Sequence, residues 1–449
     1  MLDVRPAPAP GARAPALRGG TPHLRPAWLL NLMFLGLFVW WALGVSGFVQ
    51  VILAVPIVLA LVMRGKLRAP RSFLLWVFFL VWMLVTYVQV KGLSHTISFG
   101  WRGSLYIAAG LLFLYVFNMP RSRLPSSVVV KTLAAFWVLT VIGGVIGMML
   151  PKISFSTPFE KVLPASAVAG NRFVFDLVHA STASLNAFSG TAIHRPKSPF
   201  IYTNQWGSAF ALSLPFALAA LMGGVIRSRL WRVALVLLLV FSIAPLIFSL
   251  DRGSWFSTGV SMAYATLRLA GGRNRRMARI ARGLIVGGIV VGAIVLLSPL
   301  WALIQLRLGH GYGDRTRALL YESSIQAVAQ SPILGYGTPV SVSLVNPTAP
   351  LVGPSVGTHG QFWTIIVAHG IPGVTLFMCW WLVALFKTGR RLPTAAGRDT
   401  NARFWGHVAI LAGIIQMAYY ELIPWGLFIM MAATAMAWRE ATPDAAEAG

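Results

Sequence analysis

The chain has 449 residues, of which 57% are hydrophobic and only 11% are charged, and its formal net charge is +26. A soluble globular protein has about 25% charged residues, so this composition excludes one soluble core and requires lipid as the solvent for much of the chain. The basic residues lie mostly in short loops between apolar runs, a pattern that membrane topology explains without nucleic-acid binding.

The first 26 residues are rich in Pro, Ala, Gly and Arg, and they contain no apolar core followed by a small-residue cleavage site. This composition predicts a disordered basic tail rather than a signal peptide. The only cysteine, Cys379, lies within an apolar run. Neither an intrachain disulfide nor a metal site built from cysteines is therefore expected.

A series of apolar runs follows, each near the length of roughly 20 residues that a membrane-spanning helix needs. The runs lie at about 27–43, 48–63, 72–90, 101–118, 127–150, 203–225, 231–250, 254–270, 281–301, 360–386, 404–420 and 421–438. The sequence thus predicts an all-α, polytopic membrane protein with about twelve transmembrane helices.

The loops between these runs alternate in charge. One set is short and basic and, together with both ends of the chain, holds 26 of the 37 Lys and Arg residues. The positive-inside rule assigns that set to the cytoplasm, and it places the long stretches 151–202 and 302–359 outside, with amphipathic helices in the external loop. Both termini are then cytoplasmic, and the chain divides into a basic tail (1–26), a transmembrane domain (27–438) and a second tail (439–449).

Motifs for nucleotide or metal chemistry are missing from the sequence, which has no Walker loop, no GxGxxG after a strand, no HExxH and no paired cysteines. A nucleotide-driven pump and a metalloprotease are therefore disfavoured, and no metal or cofactor is expected. The informative residues are basic groups on the external side. The positive-inside rule does not predict basic residues on the external side. Polar groups at membrane depth are costly and usually have a function.

The first such group is Arg252, in the segment 249–255 (SLDRGSW) between two strongly apolar runs. This loop is too short to reach far from the bilayer. Arg252 could pair with Asp251 or extend to the lipid headgroups. Alternatively, it binds an anion, with Gly253 allowing close approach of the backbone.

Three more arginines lie on the same side of the membrane. Arg195 precedes the sixth apolar run and is either a solvated loop residue or part of a site. Arg315 and Arg317 precede apolar residues at helical spacing, beginning at Leu320 and Tyr321, which predicts an amphipathic helix that ends near residue 331. These two arginines either serve a solvated helix start or bind an anion. The helix dipole disfavours cations at a helix N-terminus, so arginines at this position are unfavourable for the helix itself. Their presence there therefore favours the functional role.

His359 stands at the outer start of the tenth apolar run, and His369 within that run is a weaker candidate. A lone histidine is often a bystander. However, several external arginines and one histidine together suit a diphosphate leaving group and a hydroxyl nucleophile. Arginine matches phosphate oxygens with two parallel hydrogen bonds, and histidine is the commonest general base near neutral pH.

These motifs, in this order, resemble the O-antigen ligase and polymerase superfamily of bacterial membrane glycosyltransferases over about residues 190–385. The motifs that carry the resemblance are Arg195…Phe200…Asn204, Asp251-Arg252-Gly253, Arg317…Tyr321 followed by Pro332…Gly335-Tyr336-Gly337, and His359-Gly360 followed by Gly370…Gly373. The chain departs from the family at four places. Asp251, Tyr321 and Gly360 stand where the family usually has Ser, Trp and Asn, and the Asn-Pro-Asn segment reads Tyr202-Thr203-Asn204.

The resemblance implies a GT-C-like fold and an active site on the external face of the cytoplasmic membrane. There the protein would transfer a glycan from a polyprenyl-diphosphate carrier to a hydroxyl of a glycan, lipid or protein acceptor, inverting the anomeric carbon without a metal. It implies that Arg252 and Arg317 bind the diphosphate with support from Arg195 and Arg315, and that His359 takes or orients the proton of the acceptor hydroxyl. The further substrate-binding candidates are Asn204, Asp251 and Tyr321.

Two other readings stay open. A polysaccharide polymerase of the same superfamily would use the same residues. A flippase or transporter of lipid-linked sugars would instead place ionisable groups near the membrane midplane and show an internal repeat, and neither pattern is visible in the sequence. The external arginines argue against a purely structural membrane protein.

Overall fold

The computed structural model describes residues 27–188, 191–271, 275–309, 312–345, 355–390 and 398–439, and for residues 187, 188, 191, 276, 312–317 and 398–400 it describes the backbone alone. The predicted tail 1–26 and all of the second tail after Arg439 lie outside these ranges.

Helices account for most of the described residues. They are α1 (Ala27–Leu35), α2 (Leu37–Leu43), α3 (Val49–Arg64), α4 (Phe73–Val85), α5 (Leu93–Asn118), α6 (Ser126–Met149), α7 (Pro158–Val162), α8 (Ala165–Ala169), α9 (Arg172–Val178), α10 (Thr203–Met222), α11 (Arg229–Phe241), α12 (Ile243–Phe248), α13 (Arg252–Ala270), α14 (Arg275–Leu296), α15 (Leu300–Gly309), α16 (Tyr312–Gln330), α17 (Val342–Val345), α18 (Gln361–Gly389), α19 (Arg398–Gln416) and α20 (Trp425–Arg439). A single 3₁₀ turn, Thr86–Gln89, extends α4.

Helices lie at each of the predicted apolar runs. Within the described ranges, 6 of them are long and apolar enough to cross a membrane, judged by length and composition. These are Leu93–Asn118, Ser126–Met149, Thr203–Met222, Arg229–Phe248, Met277–Leu296 and Gln361–Gly389. The prediction of a helical, multi-pass membrane protein is thereby confirmed.

Some predicted runs are not single helices. The first run is divided into α1 and α2 at Gly36, where the Trp40 indole Nε1 donates to the carbonyl of Leu32 at 2.9 Å. The seventh run is divided into α11 and α12. Pro245 has no N–H to donate to the carbonyl of Phe241, so the regular hydrogen-bond pattern is interrupted there. The last two runs are separated by a non-helical segment, residues 417–424.

The centre of the bundle is α20, which is buried along its whole length, and it packs on α5, α10 and α19. Next to it, α10 packs on α6, where Trp206 donates its indole Nε1 to the carbonyl of Thr140 at 2.8 Å. A Cβ atom on Gly144 would lie 2.4 Å from the Trp206 ring. Glycine at that position therefore allows the two helices to approach closely.

The outer helices show the reverse pattern. Large apolar side chains of α3, α11 and α14, such as Val55, Leu230 and Ile289, are exposed. Soluble proteins rarely expose contiguous apolar surfaces of this kind. The hydrocarbon of a bilayer would cover them.

Four short strands lie between α6 and α10. Strand β1 (Ser154–Phe155) pairs antiparallel with β2 (Ala180–Ser181), and β3 (Ala183–Phe188) pairs antiparallel with β4 (Thr191–Pro196). The helices α7, α8 and α9 lie between β1 and β2. The all-α prediction is thus correct for the bundle, while this stretch adds two small hairpin-like sheets.

The long stretch before α18 contains α15, α16 and α17. As predicted, α16 ends at Gln330, and the turn after it contains Gly335 and Gly337 at φ +65° and +74°, values that glycine adopts without strain. The face of α16 that packs towards α18 includes Leu320 and Ala327. Ile325, on another side of the same helix, is exposed.

Candidate active site

The turn between α12 and α13 is the centre of the candidate site. Within it Leu250 has φ +51°, a left-handed conformation that residues other than glycine rarely adopt. Two guanidinium groups bind successive carbonyls of this turn. Arg195 Nε donates to the Ser249 carbonyl at 2.5 Å, and Arg307 Nε donates to the Leu250 carbonyl at 3.0 Å. Cations from β4 and α15 are thereby held on one turn.

Arg252 directly follows the turn and is the first residue of α13, where it is half-buried. The N-terminus of a helix carries partial positive charge and favours an anion over a cation. Three arginines, at positions 195, 252 and 307, therefore converge on a place where the helix end itself is also positive. Such a place suits an anionic group.

Asp251 precedes α13 and its side chain is buried, with 4% of the residue exposed. Its Oδ1 accepts a hydrogen bond from the hydroxyl of Tyr420. On its other side lies Gly207 of α10, where a Cβ atom would be 2.4 Å from Asp251 Oδ2. Packing by α10 and the segment 417–424 therefore fixes this carboxylate.

Two adjacent tyrosines hold the start of α13. The hydroxyl of Tyr420 accepts a hydrogen bond from the Ser254 N–H at 3.1 Å, and the hydroxyl of Tyr419 donates to the Gly253 carbonyl at 3.0 Å. A Cβ atom on Gly253 would lie 2.3 Å from the Tyr420 hydroxyl. Glycine at position 253 therefore allows these two tyrosines to pack closely on the start of α13. Close approach of this backbone to a bound anion stays a prediction.

The segment 417–424 also binds the start of α18, close to His359. The backbone N–H of Gln361 donates to the Tyr420 carbonyl at 2.7 Å, and the N–H of Phe362 donates to the Met417 carbonyl at 2.9 Å. Tyr420 therefore contacts the Arg252 turn with its side chain and the His359 helix with its backbone. The two predicted catalytic regions are brought together through this one residue.

The ring of half-buried His359 is oriented by Thr358. The Thr358 hydroxyl donates to the Ser355 carbonyl at 2.7 Å, and it lies 3.2 Å from His359 Nδ1. Because the hydroxyl proton points to Ser355, the Thr358 oxygen accepts from Nδ1–H in a neutral imidazole. In that tautomer Nε2 is the unprotonated nitrogen, the one through which a neutral imidazole accepts a proton. His369, the weaker candidate, is buried and bonded to Thr86 at 2.8 Å.

Tyr321 of α16 stacks on Trp363 of α18, with ring centroids 5.0 Å apart and an interplanar angle of 27°. This contact places α16 against the first turn of α18, beside the His359 region. Arg317 precedes Tyr321 by one helical turn and Arg315 lies close before it, both within the backbone of α16. The side chains of these two arginines lie outside the described part of the structure.

Asn204 is in the first turn of α10, half-buried, and its Oδ1 accepts from the Gln205 N–H at 2.9 Å. Gln205 in turn donates its Nε2 to the Ile423 carbonyl at 3.3 Å. The start of α10 thus touches the same segment 417–424 that holds Asp251 and α18. Asn204 belongs to the neighbourhood of the site, although its own side-chain contact is local.

Sequence reasoning missed Arg307, Tyr419, Tyr420 and a buried ion pair. That pair joins Arg102 of α5 to Glu421, next to Tyr420. Both charges stand in strongly apolar runs, and ionisable groups at membrane depth are rare, so this signal could have identified them. Arg307 carries the same signal within α15, an apolar helix.

Among the described residues, no group of three or more His, Cys, Asp or Glu side chains is placed to hold a metal ion. The charged groups that converge near the α12–α13 turn are mostly arginines, which bind anions. Chemically, the arrangement can hold an anionic leaving group at the turn and a basic imidazole at the start of α18.

Residues 237–378 match the family described as O-antigen ligase. The matched range contains the α12–α13 turn, Arg252, Arg307, Arg317 and His359, and the resemblance found in the motifs is thereby confirmed. Arg195, Asn204 and Tyr420 lie outside the matched range. No curated protein matches the chain.

Proposed function

We propose, starting from the O-antigen ligase match of residues 237–378, that this membrane protein transfers a glycan from a polyprenyl-diphosphate carrier to a hydroxyl of an acceptor. The observation that carries the proposal is the joint position of the arginines and the histidine. Arg195 and Arg307 bind the turn that leads into Arg252, and Tyr420 joins that turn to the helix that follows His359.

In the proposed reaction, the acceptor oxygen attacks the anomeric carbon of the donor sugar from the face opposite the diphosphate. The bond between the anomeric carbon and the diphosphate oxygen breaks, so the configuration is inverted and polyprenyl diphosphate leaves. Arg252 and Arg317 bind the diphosphate, supported by Arg195 and Arg315. They stabilise the negative charge that develops on the leaving oxygen, an effect that grows when water is excluded.

His359 takes the proton of the acceptor hydroxyl on Nε2 as the new bond forms. Its Nδ1–H donates to Thr358, which keeps the ring in the correct tautomer. Asn204, Asp251 and Tyr321 complete the substrate-binding set in this proposal. Asp251 acts by fixing the α12–α13 turn through Tyr420. The proposed reaction uses no metal ion and no nucleotide sugar.

The proposed topology has about twelve transmembrane helices in a GT-C-like arrangement. Residues 27–438 form the transmembrane glycosyltransferase domain, both terminal tails are in the cytoplasm, and the site faces outward from the cytoplasmic membrane. The charge distribution supports this orientation, because 26 of the 37 Lys and Arg residues fall on the side with the termini.

The test is glycan transfer by the purified protein in liposomes that contain a lipid-linked glycan and an acceptor. Arg252→Ala and His359→Ala should each lower the transfer rate by about 10²–10³-fold, the usual cost of losing one charge-stabilising or proton-accepting group. Arg123→Ala, which removes an exposed arginine from a basic loop, serves as the matched control. Turnover near wild type in both site variants would refute the assignment.

The same assay separates the related functions. A ligase transfers one preassembled chain and gives a single product, whereas a polymerase of the same superfamily gives a ladder of lengths. A flippase or transporter would move the lipid-linked sugar across the liposome membrane and leave its covalent structure unchanged.

A further inference from the structure

A second set of reactive side chains lies between α6 and α10, away from the α12–α13 turn. Ser154 Oγ is 2.8 Å from His179 Nε2, and His179 Nδ1 is 2.8 Å from Glu160 Oε2. A serine, a histidine and a carboxylate are thus joined through the two different nitrogens of one ring. Serine hydrolases on unrelated folds share this order of contacts, and they are recognised by geometry rather than by sequence position.

The carboxylate of this set is held rigidly. Glu160 is the third residue of α7 and forms a capping box with Thr157: the Thr157 N–H donates to Glu160 Oε2 at 3.2 Å, and the Glu160 N–H donates to Thr157 Oγ1 at 3.1 Å. Ser156 donates to its other oxygen, Oε1, at 3.2 Å. Glu160 therefore points at His179 without needing any rearrangement.

The imidazole is fixed from a second direction. The ring of His179 stacks on Phe175 of α9, with ring centroids 4.4 Å apart and an interplanar angle of 17°. His179 also directly precedes β2, whose pairing with β1 sets Ser154 opposite Ser181. Backbone pairing, ring stacking and the capped carboxylate thus together align the hydroxyl with Nε2.

This set opens on a cavity of about 470 Å³. Its lining includes Ser154, His179, Arg172, Asp176, Lys197 and Tyr202. Such a volume is within the range of small-molecule sites, roughly 300–1,000 Å³. Since most of the lining residues are polar or charged, the cavity suits a polar ligand such as a sugar better than a long hydrocarbon chain.

Basic residues also line the cavity. Lys197 is 7% exposed and lines the cavity. Burial lowers the pKa of its ammonium group, while the nearby carboxylate of Asp176 acts in the opposite direction. Arg172 and Lys152 line the same cavity. Of these basic groups only Lys197 is buried, because Lys152 and Arg172 are exposed. Positive groups near a reacting carbonyl stabilise the oxyanion that forms on it.

We infer that Ser154, His179 and Glu160 form a second catalytic site, which hydrolyses a short-chain carboxylic ester on a saccharide bound in this cavity. Ser154 Oγ attacks the ester carbonyl carbon and passes its proton to His179 Nε2. The ester C–O bond breaks, the sugar oxygen leaves with that proton, and an acyl-Ser154 remains. Water then attacks the acyl group, its proton returns through His179 to Ser154 Oγ, and the carboxylic acid is released. Glu160 accepts the hydrogen bond from His179 Nδ1–H throughout and keeps the ring oriented.

The experiment uses the full-length protein in detergent and a fluorophosphonate probe, which reacts with activated serines. Wild type should be labelled, Ser154→Ala should not, and His179→Ala should react about 10²–10⁴-fold more slowly, the range that a general base contributes. Ser166→Ala is the control, because Ser166 is exposed on α8 in the same stretch and should leave labelling unchanged. Acetate release from an acetylated monosaccharide should follow the same order.

Two outcomes would overturn the inference. If wild type is not labelled and releases no acetate, the three side chains only brace the loop, and Ser154→Ala should then lower the unfolding temperature alone. If Ser154→Ala is labelled as strongly as wild type, the reactive serine is elsewhere. The Glu160→Gln variant gives a separate check, because it keeps the size of the side chain. It should slow labelling of Ser154, whereas a purely structural role of Glu160 in the loop predicts no change in the labelling rate.

Discussion

The hydroxyl of Tyr420 donates to the carboxylate of Asp251, 169 positions earlier in the chain. The same hydroxyl accepts from the Ser254 N–H, and the Tyr420 carbonyl accepts from the Gln361 N–H. One residue at the C-terminal end of the bundle thus connects the start of α13 to the start of α18. The geometry of the proposed site depends on this connection.

Tyr420→Phe should therefore lower both stability and glycan transfer. The change leaves the buried Asp251 carboxylate and the Ser254 N–H without this partner, a loss of about 1–3 kcal/mol. Tyr419→Phe removes only one donor to a carbonyl, and about 0.5–1.5 kcal/mol is expected. Thermal unfolding in detergent and the transfer assay measure the two effects. Equal losses of stability and transfer rate in Tyr420→Phe and Tyr419→Phe would contradict the view that Tyr420 connects the two helix starts.

Gly253→Ala should destabilise the protein, since the new Cβ would lie 2.3 Å from the Tyr420 hydroxyl. Overpacking of this kind costs about 1–3 kcal/mol. Gly259 stands in the same helix, α13, and nothing lies within 4 Å of a Cβ placed there. Gly259→Ala should leave stability unchanged or raise it by up to about 1 kcal/mol. The unfolding temperatures of Gly253→Ala and Gly259→Ala measure the two effects. A lower unfolding temperature in both variants would contradict the packing argument.

Arg307→Ala should slow glycan transfer about tenfold to a hundredfold, because losing a hydrogen bond from a charged group costs about 1.5–3 kcal/mol and each 1.4 kcal/mol is one decade in rate. The bond lost is the one to the Leu250 carbonyl at 3.0 Å. Arg232 makes a bond of the same type, to the Ile226 carbonyl at 2.7 Å on an exposed surface, and Arg232→Ala is the control. A normal rate in Arg307→Ala would remove this residue from the site.

The buried pair Arg102–Glu421 should be costly to break and inexpensive to remove as a whole. Glu421→Met leaves the Arg102 guanidinium without its carboxylate, and about 3–5 kcal/mol of stability should be lost. Replacing both residues by methionine removes the stranded charge, so most of that loss should be recovered. Unfolding of Glu421→Met, Arg102→Met and the double variant in detergent measures the coupling. Additive losses would mean that the two charges do not interact.

Because of Lys197, the free energy of unfolding should increase as the pH rises into the alkaline range. Burial lowers its pKa below the ordinary value of 10.5, so between the lowered value and 10.5 the unfolded chain binds a proton that the folded protein has released. Raising the pH through that window therefore stabilises the folded state. Lys197→Met removes this contribution, and the difference between variant and wild type should shrink as the pH rises. A difference that is constant with pH would contradict the burial of an ionisable amine.

The sequence predicted the helices well because membrane-spanning runs carry a strong local signal. It also predicts a role for Arg252 and Gly253, which are adjacent, and for His359, which stands at the start of a long apolar run, and these roles stay predictions. A charged residue within an apolar stretch can be selected as a candidate from the local sequence alone. The predicted turn after α16 was correct for the same reason, since its glycines mark it directly.

The contacts that assemble the site could not be read in this way. Arg307 donates to the carbonyl of Leu250, and Tyr420 donates to Asp251, and both pairs are far apart in the chain. The residues next to Tyr420 contain no pattern that predicts which helix its side chain contacts. The Ser154–His179–Glu160 set has the same origin, because a short strand pairing brings its members together. Residues with unusual character can be found from sequence, but their partners are set by packing.

The segment 417–424 and the central helix α20 come last in the chain, although they lie at its middle in space. During synthesis the N-terminal helices are made first, so Arg252 and His359 enter the membrane before the residue that connects them exists. Glycan transfer, if the proposed site is correct, should therefore begin only after the segment 417–424 has been made. A chain cut short before residue 417 should insert helices of the bundle and yet transfer no glycan.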